Sequence, residues 1–275
     1  LCKALRVSRS SYYAWDNKPE SNRSRENKEL LDKIKKIHKE SHDIFGSVKI
    51  TQAVNQDSQK PINHKRVERI MKENGIHSRV VKKFKATTNS NHKLPVAENI
   101  LNRDFTVDKP NEKMVSDITY LWTDEGWLYL AGVMDLCGQK IVGLSMSERM
   151  TKDLVINALN DAYNRSGKPS GVIIHSDRGS QYCSNDYQSL LKKYGFVCSM
   201  SRKGNCWDNA PMEAFWGKLK CEWLYHKHFK TRDEARAAVF EYIEIFYNRV
   251  RIHASNGFLT PEEYYNRALL EAKAA

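Results

Sequence analysis

No stretch of this sequence approaches the roughly eighteen consecutive apolar residues that span a bilayer, and the N-terminus shows no signal-peptide pattern. A membrane protein or an exported one is not expected, and the reading is of a soluble, cytoplasmic chain without a membrane partner. The six cysteines (Cys2, Cys137, Cys183, Cys198, Cys206, Cys221) form no C-x-x-C pair and keep no regular spacing. That excludes a disulfide framework and reads as reduced thiols. His38 and His42 stand at i, i+4, but no paired cysteines follow, so a zinc-bound His/Cys domain is not expected either. An initiating Met is also missing. The chain opens on Leu1, as a fragment, a processed form or an unusual start would.

What is present is a foldable chain with an uneven charge. Of its 275 residues 40% are hydrophobic, and thirteen Tyr and six Trp argue for a packed core. The net charge of +12 is concentrated at the front: residues 1–100 carry 22 Lys/Arg against 11 Asp/Glu, and residues 101–275 carry 23 against 22. A basic front joined to a nearly neutral remainder suggests a polyanion-gripping module beside a catalytic or structural one. Lysines that merely keep the surface soluble are the plainer alternative.

The pattern divides the chain into residues 1–23, a truncated helical leader and linker; 24–76, a small helical domain; 77–113, a basic then polar linker; and 114–275, a larger domain with C-terminal helices. In 24–76, helices are expected over 25–40, from Ser47 through Val54, and over 63–74, the last capped by Asn63 and stopped at Asn74-Gly75. Val67, Ile70 and Met71 form its inward stripe, while Lys65, Arg69 and Lys72 recur at i, i+4, i+7 on the other side. That is the outline of a helix-turn-helix, although the turn from Gln56 to Pro61 is longer than usual; a bundle with a solvated cationic face fits as well. The linker holds Arg79, Lys82, Lys83 and Lys85, which could track a phosphate backbone.

Beyond residue 113 the alternation predicts strands over 114–123, 127–136 and 140–148, a helix over 151–165, a strand at 171–176, a helix near 185–194, a strand at 196–201, and helices from 209 onward. This is an α/β order with a mixed sheet. Three acids stand out in it. Asp117 interrupts the first strand among Val115, Thr119 and Leu121, where a carboxylate is costly unless it is paired or metal-bound; an Asp near a strand edge in water is the alternative. Asp177 ends an apolar strand, where ligands of open α/β sheets gather, though a turn Asp before Arg178-Gly179 is the simpler reading. Glu213 opens a helix after Asp208-Asn209-Ala210-Pro211; with Asp208 as N-cap it falls in the second turn, with Trp216, Gly217 and Lys220 on its face. Carboxylates converging from separate elements suit hard Mg²⁺ or Mn²⁺. Lys220 is placed to grip a phosphate or to be an ordinary surface lysine. Asp124 and Glu125 are expected in a solvated turn, and Asp135 as a structural turn residue in preference to a near-site carboxylate.

The chain resembles the DDE transposases of the insertion-sequence-3 family, in particular the second-frame protein with the integrase-type core. The residues that carry the likeness are Ser116-Asp117-Ile118-Thr119-Tyr120, His175-Ser176-Asp177-Arg178-Gly179-Ser180-Gln181-Tyr182 and Trp207-Asp208-Asn209-Ala210-Pro211-Met212-Glu213-Ala214-Phe215-Trp216. Tyr247-Asn248-Arg249-Val250-Arg251-Ile252-His253 and Thr260-Pro261-Glu262-Glu263-Tyr264-Tyr265 look like the family's C-terminal signature. Met114 departs from the usual Trp, and Asn256-Gly257 from a common Leu-Gly. The resemblance implies a ribonuclease-H-like core with a mixed five-stranded sheet flanked by helices, preceded by a helix-turn-helix-like domain. It implies two Mg²⁺ (or Mn²⁺) ions on Asp117, Asp177 and Glu213, with Asp117 bridging them. It also implies hydrolysis and strand transfer at the ends of an insertion sequence. Arg178, Asn209 and Lys220 would join Lys65, Arg69 and Lys72 as DNA contacts. The partners implied are terminal inverted repeats and target DNA on the bacterial nucleoid, a homo-oligomer formed on that DNA, and an upstream first-frame protein. A ribonuclease-H-like nuclease, or a catalytically silent DNA-binding relative, are the alternatives.

Overall fold

A computed structural model of the chain describes residues 7–17, 20–56, 60–79 and 95–274, together with Cys2, Leu5 and Ser58. It separates into two compact units, one ending at Ser78 and one beginning at Arg79.

In the first unit a short helix α1 (Arg9–Asp16) is capped by the Ser8 hydroxyl and buries none of its residues. Three further helices, α2 (Asn22–Glu40), α3 (Ser47–Gln56) and α4 (His64–Glu73), close around Leu30, Ile34, Ile50, Val54, Val67, Ile70 and Met71. The long turn between α3 and α4 is held by one side chain. Asn55 donates from Nδ2 to the Ile62 carbonyl (3.1 Å) and accepts the Ile62 N–H at Oδ1 (2.7 Å). Arg66 donates to Asn27 (2.9 Å) and pairs with Glu26 (3.1 Å), fastening α4 to α2. Asn63 caps α4 by accepting the Lys65 N–H at 2.8 Å. Lys65, Arg69 and Lys72 all emerge exposed.

The second unit is built on a five-stranded sheet of order β3-β2-β1-β4-β5. Strands β1 (Lys113–Thr123), β2 (Gly126–Asp135) and β3 (Lys140–Ser147) form an antiparallel meander. Strands β4 (Ile173–Ser176) and β5 (Val197–Met200) continue it in parallel from β1. Helices α5 (Lys152–Arg165) and α6 (Asn185–Tyr194) cover one face, enclosing Met114, Ala131, Val133, Leu154, Ala158, Tyr182, Tyr187 and Leu191. Met114 is wholly buried there. Gly143 lets α5 approach β3, because a Cβ at that point would stand 2.3 Å from the Ala158 carbonyl oxygen. Helix α7 (Ala210–Glu222) crosses above β1, and α8 (Arg232–Phe240), a π-helical run Glu241–Tyr247 and α9 (Pro261–Ala274) complete the unit.

Two expectations change here. Lys82, Lys83 and Lys85 lie outside the described residues, but residues 97–101, within the stretch read as a linker, pack against β5. Ile100 and Leu101 donate their N–H groups to the Ser199 hydroxyl (both 3.0 Å), Met200 N–H reaches the Glu98 carbonyl (3.2 Å), and Leu101 is buried. The segment covers β5, whose outer edge would otherwise present unpaired backbone groups. Second, Asp208 is not the N-cap of α7. The chain makes a 3₁₀ turn over Cys206–Asn209, α7 starts at Ala210, and Glu213 therefore lies in its first turn.

Among the described residues, no helix is long and apolar enough to cross a membrane.

Candidate active site

Sheet register brings the first two acids together. β1 and β4 pair in parallel with Lys113 opposite Ile173, Met114 opposite Ile174 and Val115 opposite His175. Continuing that register by two residues sets Asp117 beside Asp177, immediately past the end of β4. Equivalent positions on neighbouring parallel strands point to the same face, about 4.8 Å apart at the backbone. Asp117 is raised well above the usual carboxylate range, first by burial, then by the charge of Asp177 and, less strongly, by that of Glu213. The Ile118 N–H works in the opposite direction.

Asp177 is shaped by the turn that follows it. Its Oδ1 accepts the Gly179 N–H at 2.9 Å, and a Cβ on Gly179 would press within 3.0 Å of that same oxygen. Arg178 donates from Nε to the Ser201 carbonyl, tying the turn to the chain leaving β5. Beneath it His175 is fully buried and bonded at both nitrogens, Nδ1 to Ser199 Oγ (2.8 Å) and Nε2 to Ser201 Oγ (3.0 Å). Ser199 already accepts two backbone N–H groups, so its own proton points to Nδ1. Ser201 donates to the Ser176 carbonyl (3.2 Å), so it accepts from Nε2. This circuit closes only around a neutral imidazole, and burial pushes the His175 pKa down to about 4.

The third acid arrives on α7. Gly132 lies opposite Asp117 on β2, and a Cβ there would meet Met212 and Trp216 at 3.0 Å; the glycine is what lets α7 seat over the first acid. Glu213 follows Met212 and remains exposed, its carboxyl raised by partial desolvation. The Trp216 indole N–H faces Asp117 and favours its charged form, yet finds no acceptor within hydrogen-bonding reach. Lys220 is half-buried, its ammonium 5.4 Å from the centre of the Tyr120 ring, and its pKa is lowered by burial against the opposing pull of Asp117.

Both ends of α7 are anchored. Asp208, with no exposed surface, accepts from Arg202 (N 2.9 Å, Nε 2.9 Å, a terminal nitrogen 2.7 Å), Arg103 Nε (2.8 Å) and Asn99 Nδ2 (3.0 Å). Its side-chain bond with Arg202 leads in holding the carboxyl far below the usual carboxylate range. Asn209, only 4% exposed, donates to the Ser116 carbonyl at 3.0 Å, one residue from Asp117. Its amide nitrogen is thus turned into the protein and bonded to β1, while its Oδ1 is buried without a partner among the described residues. At the far end Glu222 is buried and chelated by Arg251 (Nε 2.8 Å), and it also accepts from Tyr242 (2.7 Å). Asn248 holds both the N–H and the carbonyl of Ile141 on β3 (3.1 and 3.0 Å), and Asn256 donates to the Gly138 carbonyl (2.9 Å). The motif over 247–253 is therefore a clamp on α7 and on the sheet. Asp135 is structural as expected: it accepts the Asn111 and Cys137 N–H groups (both 2.8 Å), and burial pushes its pKa up to about 7.

The donor set is chemically suited to a hard divalent cation, since two carboxylates that repel each other gain most from a shared positive charge. As arranged, no three His, Cys, Asp or Glu side chains among the described residues are gathered tightly enough to cage an ion. Asp117 and Asp177 are neighbours, and Glu213 stands further out.

Comparison with known proteins bears on this geometry. Residues 107–206 and 213–269 match models of an integrase core domain, and residues 25–84 match an HTH-like domain. The chain is 45% identical over 272 residues to the Shigella sonnei "Insertion element IS600 uncharacterized 31 kDa protein", covering 98% of this chain and all of that one. It is 41% identical over 271 residues to "Transposase InsF for insertion sequence IS3A" of Escherichia coli (strain K12), covering 98% of this chain and 94% of the relative. Among solved structures, a chain of the simian T-cell lymphotropic virus intasome in complex with PP2A regulatory subunit B56 gamma overlays 84% of this chain and 73% of its own length. Its TM-score is 0.50 at 17% identity, a likeness of fold.

Proposed function

Because this chain belongs to the insertion-sequence-3 family of transposases, we propose that its polynucleotidyl-transferase chemistry runs on Asp117, Asp177 and Glu213 at the ends of a mobile DNA element. The observation that carries the reading is the pairing register of β1 and β4, which points two carboxylates to the same place; burial first, and the charge of Asp177 second, make Asp117 hard to ionise.

Asp117, between the other two acids in the electrostatic sense, would be shared by two Mg²⁺ or Mn²⁺ ions, with Asp177 completing one site and Glu213 the other. Bound there, such ions lower the pKa of an attacking oxygen and neutralise charge on the leaving one. The chain's own residues position the groups that react. Asp177 is held by Gly179, Asp117 by the sheet, and the helix that bears Glu213 by the anchors of α7. Lys220, partly desolvated and beside Asp117, would hold a substrate phosphate near the acids. Arg178 would line the same mouth. In the first reaction a water oxygen bonds to phosphorus and the 3′-oxygen leaves, taking up a proton. In the second the freed 3′-hydroxyl oxygen bonds to the phosphorus of another phosphodiester, whose own bridging 3′-oxygen leaves and takes up the displaced proton, so no protein–DNA covalent intermediate is needed. Lys65, Arg69 and Lys72 on exposed α4 would grip element-end DNA, with the chain working there as a homo-oligomer alongside a first-frame partner.

The test is strand cleavage and transfer on duplexes ending in the element's terminal repeat, with Mg²⁺ supplied. Asp177→Asn and Glu213→Gln should each lower both activities by about a thousandfold or more, the scale of losing some 4 kcal/mol at the transition state, while end binding persists. Loss of binding with cleavage intact would overturn the assignment, and cleavage of RNA–DNA hybrids without joining would point to a nuclease.

A further inference from the structure

Trp207 is the most exposed aromatic side chain among the described residues of the second unit, at 68%. Its two successors in the chain face the other way. Asp208 is sunk among Arg202, Arg103 and Asn99, and Asn209 is fastened to the Ser116 carbonyl beside Asp117. Both successors are anchored on their far side, and the indole is left outside them. The same turn also displays Arg202, Lys203 and Gly204 at the surface, Gly204 at a φ of 72° that lets the chain reverse there. A large aromatic face is thus held beside exposed cations, on the segment that leads from β5 into the helix bearing Glu213.

We propose that Trp207 is a base-stacking post: it takes the face of a nucleobase drawn out of the helix on the strand whose phosphate lies at Asp117 and Asp177. This rests on the catalytic reading above and adds the element that would fix the strand in place. An indole in water is unused apolar surface with a π face, and every base offers a matching face whatever its sequence. Cations alongside favour a phosphate-bearing partner over an apolar protein surface. The base must be unstacked, because a ring projecting from a rigid turn can pair only with a face that its neighbours have released. Fraying at the end of a mobile element would supply one. Trp207 on this view positions substrate and takes no part in proton transfer.

Photochemical coupling tests it. Terminal-repeat duplexes carrying 5-iodouracil at successive positions around the cut are irradiated with the full chain, and the coupled residue is identified by peptide mass. Coupling should reach Trp207 from one or two adjacent positions, persist in Asp177→Asn, and vanish in Trp207→Ala. Cleavage should fall about tenfold or more in Trp207→Ala and only about threefold in Trp207→Phe, which keeps a stacking face, with the thermal midpoint unchanged in both. No coupling to Trp207 from any position, with Asp177→Asn still abolishing cleavage, would overturn the stacking post and leave the catalytic reading standing. Cleavage indifferent to Asp177→Asn would overturn both. Loss of self-association in Trp207→Ala without DNA, and no coupling, would make the indole a protein contact and overturn the proposal.

Discussion

The site has a sheet half and a helix half, and they are held by different physics. Asp117 and Asp177 are set by backbone pairing between β1 and β4, which cannot slip by one residue without turning the whole buried face of a strand to solvent. Glu213 has no such constraint. Its helix is located by side chains: Asp208 and Asn209 at the entrance, Glu222 at the exit, and the glycine at 132 that admits it to the sheet. The two strand acids are therefore preset against each other, and Asp117 is reluctant to ionise, first because it is buried and then because Asp177 is beside it. The helix acid waits outside, exposed. On the proposed assignment the strand acids are fixed by backbone pairing and the helix acid by side-chain anchors, so damage to each half should look different.

The largest departure should come from cutting the helix half loose at its exit. Arg251→Met leaves Glu222 buried without its cation, and stability should fall by about 3–5 kcal/mol, read from urea unfolding. Glu222→Leu together with Arg251→Met removes both charges and should restore most of that stability. If the single and the double variants lose the same amount, the pair is not what holds α7.

A smaller effect is expected at the entrance. Asp208→Asn should cost about 2 kcal/mol at neutral pH, because Arg202 and Arg103 are partly exposed and can turn to water. The pH dependence carries a sign. The Asp208 carboxyl titrates lower in the folded protein than in the unfolded chain, so its contribution is complete above the unfolded value, near about pH 4, and is lost as the pH falls through the lower folded value. The gap between wild type and Asp208→Asn should thus be widest at neutral pH and close in strong acid. A gap that widens on acidification would contradict the ion-pair account.

Smallest of all for the site is a change in the other unit. Replacing Lys65, Arg69 and Lys72 together by Ala should leave the chemistry of bound DNA untouched. It should weaken end binding and flatten the salt dependence of log K by about three. An unchanged salt slope would remove α4 from the DNA interface.

How much of this was legible beforehand follows the range of each interaction. Strand alternation around Asp117, the Asn63 cap and the Asn74-Gly75 stop are local, and the structure has each where the sequence puts it. The register that sets Asp117 beside Asp177 depends on pairing between segments sixty residues apart, which alternation alone cannot fix. Asp208 was misread for a similar reason: an acid before a helix resembles a cap until Arg103, far upstream, is seen bonded to it. Residues 97–101 lack periodicity because backbone N–H groups on Ser199, not a repeating apolar stripe, hold them to β5. Arg251 did leave a trace, lying inside a quoted motif, but nothing in that motif names Glu222 as its partner.

The most direct test of the shared-acid arrangement is the number of Mn²⁺ ions bound, read by electron paramagnetic resonance on the chain saturated with terminal-repeat duplex. The account predicts two ions per active site in the wild type, one in Glu213→Gln, and none held tightly in Asp117→Asn, since both would lose their common ligand. Two ions remaining in Asp117→Asn would contradict it.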